Sequence, residues 1–93
     1  MPKIVAISQV EDLQAWEKAV RTHGDLFRRQ TIRGRYEYTT VADENRIVMC
    51  AEVDDVDTFF KELKSQDAED AKDFDGIKRE SLQFFVLDKV FKF

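Results

Sequence analysis

Arg46-Ile47-Val48-Met49-Cys50-Ala51-Glu52-Val53, followed at once by Asp54-Asp55, is the stretch that decides the fold. Ile47 to Ala51 are apolar without interruption, and a strand that reads this way needs cover on both of its faces. Lys3–Gln9 repeats the pattern through Ile4, Val5, Ala6 and Ile7. Both stretches are therefore predicted to be inner strands, and the rest of the chain has to supply their cover.

Between them, Glu11 or Asp12 opens a helix, because a carboxylate suits the free amides and positive dipole end of a first turn. Leu13, Trp16, Val20, His23 and Phe27 then recur at spacings of three and four, one stripe of an α-helix anchored by Trp16. Gly24 costs about 1 kcal/mol relative to Ala inside a helix, so the helix is expected to end or bend there before resuming through Phe27. Ile32–Val41 alternates Ile32, Gly34, Tyr36 and Tyr38 with Arg33, Arg35, Glu37 and Thr39, the pattern of a half-exposed edge strand. The polar loop Ala42–Asn45 pairs that strand antiparallel with Arg46–Val53.

Asp54 or Asp55 caps the next helix, whose apolar stripe is Val56, Phe59, Phe60 and Leu63. Ser65 with Asp67–Asp70 reads as a fresh cap and acidic first turn for a further helical piece carrying Ala68, Ala71 and Phe74, closed by Gly76. Ser81–Phe93 is the predicted last strand, with Leu82, Phe84 and Val86 on one face and Phe85, Leu87, Phe91 and Phe93 on the other.

The order is β-α-β-β-α-β, a single α+β ferredoxin-like domain over residues 1–93, with a four-stranded antiparallel sheet and helices on one face. Two helices on one face cannot cover both faces of the sheet. Leaving the second face in water costs roughly 1.5–3 kcal/mol per large side chain, more than a domain this small can spare. The simplest cover is a second copy packed sheet to sheet about a twofold axis.

The totals agree with a small folded domain: 93 residues, 43% hydrophobic and 37% charged, with a mean hydropathy of −0.48. A net charge of −4 provides no global positive field to steer nucleic acid or an anionic membrane, so neither is an expected partner. Cys50 is the only cysteine and forms no internal disulfide, and no long apolar run marks a signal peptide or membrane span. The expected compartment is the reducing cytoplasm.

Gln9-Val10-Glu11-Asp12-Leu13 with Trp16 and His23, Ile32-Arg33-Gly34, the Asp43-Glu44-Asn45 turn, Arg46–Glu52 before Asp54-Asp55, and Asp75-Gly76-Ile77 together resemble the small dimeric α+β barrel proteins. That superfamily includes antibiotic-biosynthesis-monooxygenase-like, polyketide-cyclase-like and many uncharacterised members. The resemblance spans nearly the whole chain, and its motifs specify fold more than chemistry. It implies a homodimer, a cleft between sheet and helices for a hydrophobic or aromatic compound, and catalysis without metal or organic cofactor. Trp16 and His23 match positions that border the cleft. The chain departs from the pattern at Asp88–Phe93, a Lys/Phe alternation expected to extend the last strand and touch the partner.

His23 is the only imidazole, the one side chain suited to general acid or base work near neutral pH; its place on an apolar stripe equally suits a histidine bonded at the end of the core. Tyr36 and Tyr38 share a strand face and offer phenol hydrogen bonds, or simple packing. Glu52 reads as a rim or ion-pair residue and Cys50 as a buried, inert thiol. Arg28, Arg29, Arg33 and Arg35 can receive an anion, but the acidic run Asp67, Glu69, Asp70, Asp73 and Asp75 offers them counterparts on a solvated surface. No metal-ligand spacing or glycine-rich phosphate loop is present.

The leading expectation is a homodimer whose cleft, lined by Trp16, His23, Tyr36, Tyr38, Phe59 and Phe60, binds a small apolar or aromatic molecule. An enzyme of this kind would carry out cofactor-independent oxygenation, isomerisation or cyclisation, with His23 moving the proton. The alternative is a non-catalytic interaction or regulatory module. Haem binding, found among relatives, is a weaker third reading, with His23 as its only imidazole ligand.

Overall fold

The computed structural model describes residues 2–93. Its elements are β1 (Lys3–Val10), α1 (Leu13–Val20), α2 (Gly24–Arg29), β2 (Ile32–Thr40), β3 (Arg46–Val53), α3 (Val56–Glu62), α4 (Gln66–Phe74) and β4 (Ile77–Leu87). The four strands form one antiparallel sheet in the order β2-β3-β1-β4. The two strands with unbroken apolar runs are thus its inner pair, with Ile4 opposite Ala51 and Ala6 opposite Met49. This is the ferredoxin-like arrangement, each helical layer being delivered in two pieces.

Both breaks sit where local chemistry puts them. Asp12 accepts hydrogen bonds from the amides of Gln14 and Ala15, so α1 starts behind it, and Gly24 opens α2 instead of lying within a helix. Asp55, not Asp54, caps α3 by accepting from Thr58, and Ser65 caps α4 by accepting from Ala68. Gly34 and Gly76 take φ of +68° and +69°, left-handed values that a side chain strains to adopt. Gly34 lies where the β2–β3 register shifts, and Gly76 turns the chain from α4 into β4.

Alternation assigns the faces. Ile4, Ala6 and Val10 of β1 and Ile47, Met49, Ala51 and Val53 of β3 are buried toward the helices, where Phe59 of α3 completes the main cluster. The residues between them point the other way. Val5 lies opposite Cys50 and Phe85, and Ile7 lies opposite Val48. Among the described residues nothing covers this second face: Phe85 and Leu87 are each 47% exposed.

Three expectations need correction. The last strand starts at Ile77, not Ser81, because β1 runs on to Val10 and pairs Gln9 with Lys78 and Val10 with Ile77 past an irregularity; the charges at Lys78, Arg79 and Glu80 conceal that part of the strand in the sequence. It ends at Leu87, which pairs with Lys3 at the beginning of β1, so among the described residues Asp88–Phe93 has no neighbouring strand to join. Val90, Phe91 and Phe93 are accordingly 70%, 76% and 118% exposed. Cys50 is only half-buried, since it points to the uncovered face.

Candidate functional site

Two compartments lie on the helical side of the sheet. An outer cleft of about 800 Å³ runs between α1 and β2, lined by Trp16, Val20, Phe27, Tyr36 and Tyr38 with the polar rim of Glu17, Arg21 and Thr40. An inner cavity of about 90 Å³ lies deeper, reached by His23, Asp75, Ser8, Met49, Phe59 and Phe84. Val20, Phe27, Tyr36 and Tyr38 line both and form the wall between them. A cavity lined by aliphatic and aromatic groups needs about 150 Å³ to hold benzene, so an aromatic ring enters the inner space only if this wall moves.

The wall is a chain of rings in edge-to-face contact. Trp16 meets Tyr38 at 5.0 Å between centroids, Tyr38 meets Tyr36 at 5.4 Å, and Tyr36 meets Phe27 at 4.5 Å. Phe27 then meets His23 at 6.2 Å, and His23 meets Phe74 at 6.1 Å. Such contacts favour the offset or perpendicular geometries that a flat aromatic guest also satisfies.

Polar atoms in the site are few and specifically held. The Tyr36 and Tyr38 hydroxyls are hydrogen-bonded to each other at 2.9 Å. Burial pushes the Tyr38 hydroxyl up to about 12, and burial together with the neighbouring Tyr38 pushes Tyr36 upward as well. Both are neutral phenols at physiological pH. Tyr36 donates to Tyr38, which leaves the Tyr38 O–H able to donate to a guest. Trp16 is buried, and among the described residues its indole Nε1 has no hydrogen-bond partner.

His23 bonds Asp75 through Nε2 at 2.8 Å, with their side chains only 14% and 6% exposed. The contact joins the start of α2, which follows His23, to the end of α4, which Asp75 caps. With Asp75 ionised, its carboxylate accepts the Nε2 proton and leaves Nδ1 as the basic nitrogen of the neutral ring. Burial holds the Asp75 carboxyl above the usual carboxylate range, while the hydrogen bond and charge of His23 pull the other way.

The structure brings His23, Tyr36, Tyr38 and Phe59 to the inner cavity and Trp16 to the outer cleft. Phe60 borders neither: it packs edge-to-face on Phe59 and Phe84 against the main cluster. The arginines carry no free anion site: Arg28 pairs with Asp25, Arg29 with Asp67 at 2.9 Å, Arg33 with Asp54 at 2.7 Å and Arg35 with Glu37 at 3.0 Å. These are exposed pairs of little energetic weight. Among the described residues no group of three or more His, Cys, Asp or Glu is placed to hold a metal ion, and no helix is long and apolar enough to cross a membrane.

Asp75 is the residue that sequence reasoning missed, because it stands in an acidic run that is otherwise on the surface. A signal existed. A carboxylate at the last turn of a helix faces the negative dipole end and needs a specific partner. Its raised native pKa also sets a testable sign: ionised Asp75 costs the fold stability, and that cost disappears as pH falls through the native value and the group protonates. Asp75→Asn is therefore expected to raise the urea midpoint at pH 7.5, with the gain vanishing by about pH 3, below the ordinary carboxylate value. A lower midpoint at pH 7.5 would show that the His23 contact outweighs burial.

No protein-family model matches the chain, and no curated protein matches it in sequence. Solved structures do. A candidate antibiotic biosynthesis monooxygenase from Bordetella bronchiseptica superposes with a TM-score of 0.76 at 18% identity, covering 97% of each chain. A cofactor-independent oxygenase from Streptomyces nogalater gives 0.71 at 17% identity over 98% of this chain and 94% of that one. A dimeric ferredoxin-like protein from an uncultured marine organism gives 0.56 at 16% identity over 98% and 91%. Identities this low carry the architecture and not the chemistry: the chain has a ferredoxin-like fold similar to that of these proteins.

Proposed function

We propose that the chain folds as one domain, pairs with a second copy through its bare sheet faces, and binds a small aromatic molecule between sheet and helices. The observation that carries this reading is the buried His23–Asp75 pair at the edge of an otherwise aromatic wall. A flat guest would seat in the outer cleft against Trp16, Tyr36 and Tyr38, and displacement of the tyrosine wall would bring it to His23. Nδ1 then takes a proton from an acidic C–H or O–H while Asp75 balances the imidazolium. That step starts oxygenation, isomerisation and cyclisation alike, and a cofactor-independent monooxygenase is the form best supported by the oxygenase of the same fold. A single free cysteine suits a cytoplasmic setting.

Trp16 is the only tryptophan, so its fluorescence reports the cleft without interference. Titration with 1-naphthol is expected to quench it, and Tyr38→Phe to weaken binding by about three- to tenfold through loss of one hydrogen bond. His23→Ala should keep binding and lose proton transfer. No quenching by single-ring or fused-ring phenols at about 1 mM, where even a −4 kcal/mol complex is half formed, would overturn the reading. The small inner cavity would then favour the non-catalytic interaction module.

A further inference from the structure

Three polar residues are buried among those described: Ser8 is 4%, Gln30 5% and Asp75 7% exposed. All three line the inner cavity, and none of them lines the outer cleft. They come from three elements. Ser8 alternates with Ala6 and Val10 on the helix-facing side of β1, Gln30 ends α2, and Asp75 ends α4. Among the described residues the Ser8 hydroxyl and the Gln30 carboxamide have no hydrogen-bond partner, and Asp75 gives only Oδ1 to His23. The one unpartnered side-chain atom sealed from all space is Nε1 of Trp16, so these groups border space, and the space that they line is the inner cavity.

We infer that the inner cavity is a subsite for a neutral primary carboxamide. On the scale at which about 150 Å³ holds the six carbons of benzene, its 90 Å³ holds roughly four heavy atoms, a carboxamide and the carbon that bears it. The lining selects that group. The Asp75 carboxylate and the Gln30 carbonyl need donors, while the Gln30 NH2 and the Ser8 hydroxyl need an acceptor, so a guest has to present both. A primary amide presents an NH2 and a carbonyl in one plane. A carboxylate brings no donor and meets the charge of Asp75, and the nearby Lys72 ammonium is already held by Glu69 and the Leu63 carbonyl. An apolar group leaves every one of these atoms bare. The amide arrives either as a small free molecule or on a ring seated in the outer cleft, past Tyr36 and Tyr38, which border both spaces. The second case gives the guest of the proposed function its polar end and rests on that reading; the first does not.

The Gln30 side chain carries its own reporter, an NH2 proton–nitrogen correlation signal that Gln30→Met removes and so assigns. On adding acetamide at pH 7.5 that signal is expected to move saturably, half-way at about 1–10 mM, the range within reach of four heavy atoms. Ser8→Ala should weaken binding by about three- to tenfold through loss of one hydrogen bond, and acetate should leave the signal in place. Trp16 fluorescence then identifies the source. Binding of 1-naphthamide about tenfold tighter than 1-methylnaphthalene, with Gln30→Met erasing the difference, assigns the amide to a ring-borne guest; acetamide binding without that difference assigns a small free amide. A Gln30 signal unmoved by acetamide, or moved equally by acetate, would overturn the subsite. These titrations of the parent chain decide it even where a variant fails to fold. Failure of every naphthalene compound to bind would count against the proposed function and leave the subsite to the acetamide result.

Discussion

Phe85→Lys is expected to convert a dimer into a monomer at micromolar concentration in sedimentation equilibrium. Phe85 is 47% exposed on the edge strand β4, on the uncovered sheet face and opposite Val5, with Leu87 equally exposed two positions on. Burying a phenylalanine contributes about 1.5–3 kcal/mol, and twofold symmetry counts it twice, so losing it weakens association by about 100-fold or more. The introduced ammonium adds a desolvation cost in any residual interface. The variant should keep the helical-side core, since Phe85 contributes nothing to it. A native chain that sediments as a monomer would contradict the dimer directly. The bare face of Val5, Ile7, Val48, Cys50, Phe85 and Leu87 would then be the binding surface to pursue.

Phe59→Ala is expected to be the most damaging substitution on the other side of the sheet. Phe59 is 1% exposed, holds the main cluster together with Ile4, Met49, Ala51 and Val53, and packs edge-to-face on Phe60 and Phe84. Truncating a buried phenylalanine costs about 3–5 kcal/mol, against a total stability of roughly 5–15 kcal/mol for a domain. Urea denaturation should show the midpoint falling by about half or the chain failing to fold. The same substitution would enlarge the inner cavity that Phe59 lines, so any folded fraction should bind 1-naphthol more readily than the parent. A loss below about 1.5 kcal/mol would mean that Phe60 and Phe84 collapse into the space.

Much of the fold was legible because the determining signals are local. The unbroken apolar runs of Lys3–Gln9 and Arg46–Val53 marked the inner strands, and the alternation from Ile32 marked the edge. Ser65 announced a helix start through its own chemistry, Asp12 and Asp55 were each one of two adjacent candidates, and Gly24 marked the break between α1 and α2. The last strand was misjudged at both ends because pairing with β1, not its own composition, determines where it begins and stops.

The candidate site was legible only in part, for the same reason. His23, Tyr36, Tyr38 and Trp16 stand out individually as rare or amphipathic residues on apolar stripes. Their grouping depends on distance: Asp75 lies 52 positions from His23, and only the packing of α4 beside α2 brings its carboxylate within hydrogen-bonding reach. Phe60 shares the apolar stripe of Phe59, yet successive helical positions lie about 100° apart, and only Phe59 lines the cavity.

By itself, then, the sequence determined which segments are strands and helices, which strands lie inside the sheet, and that one sheet face is left needing cover. These follow from periodicity, caps and the cost of wet apolar surface, all of which act within a few residues. Tertiary structure alone decided that a buried carboxylate partners the single histidine, that a tyrosine wall divides the cleft, and that Ser8, Gln30 and Asp75 meet at one small cavity. Those facts arise from contacts between residues far apart in the chain, whose positions no local preference encodes.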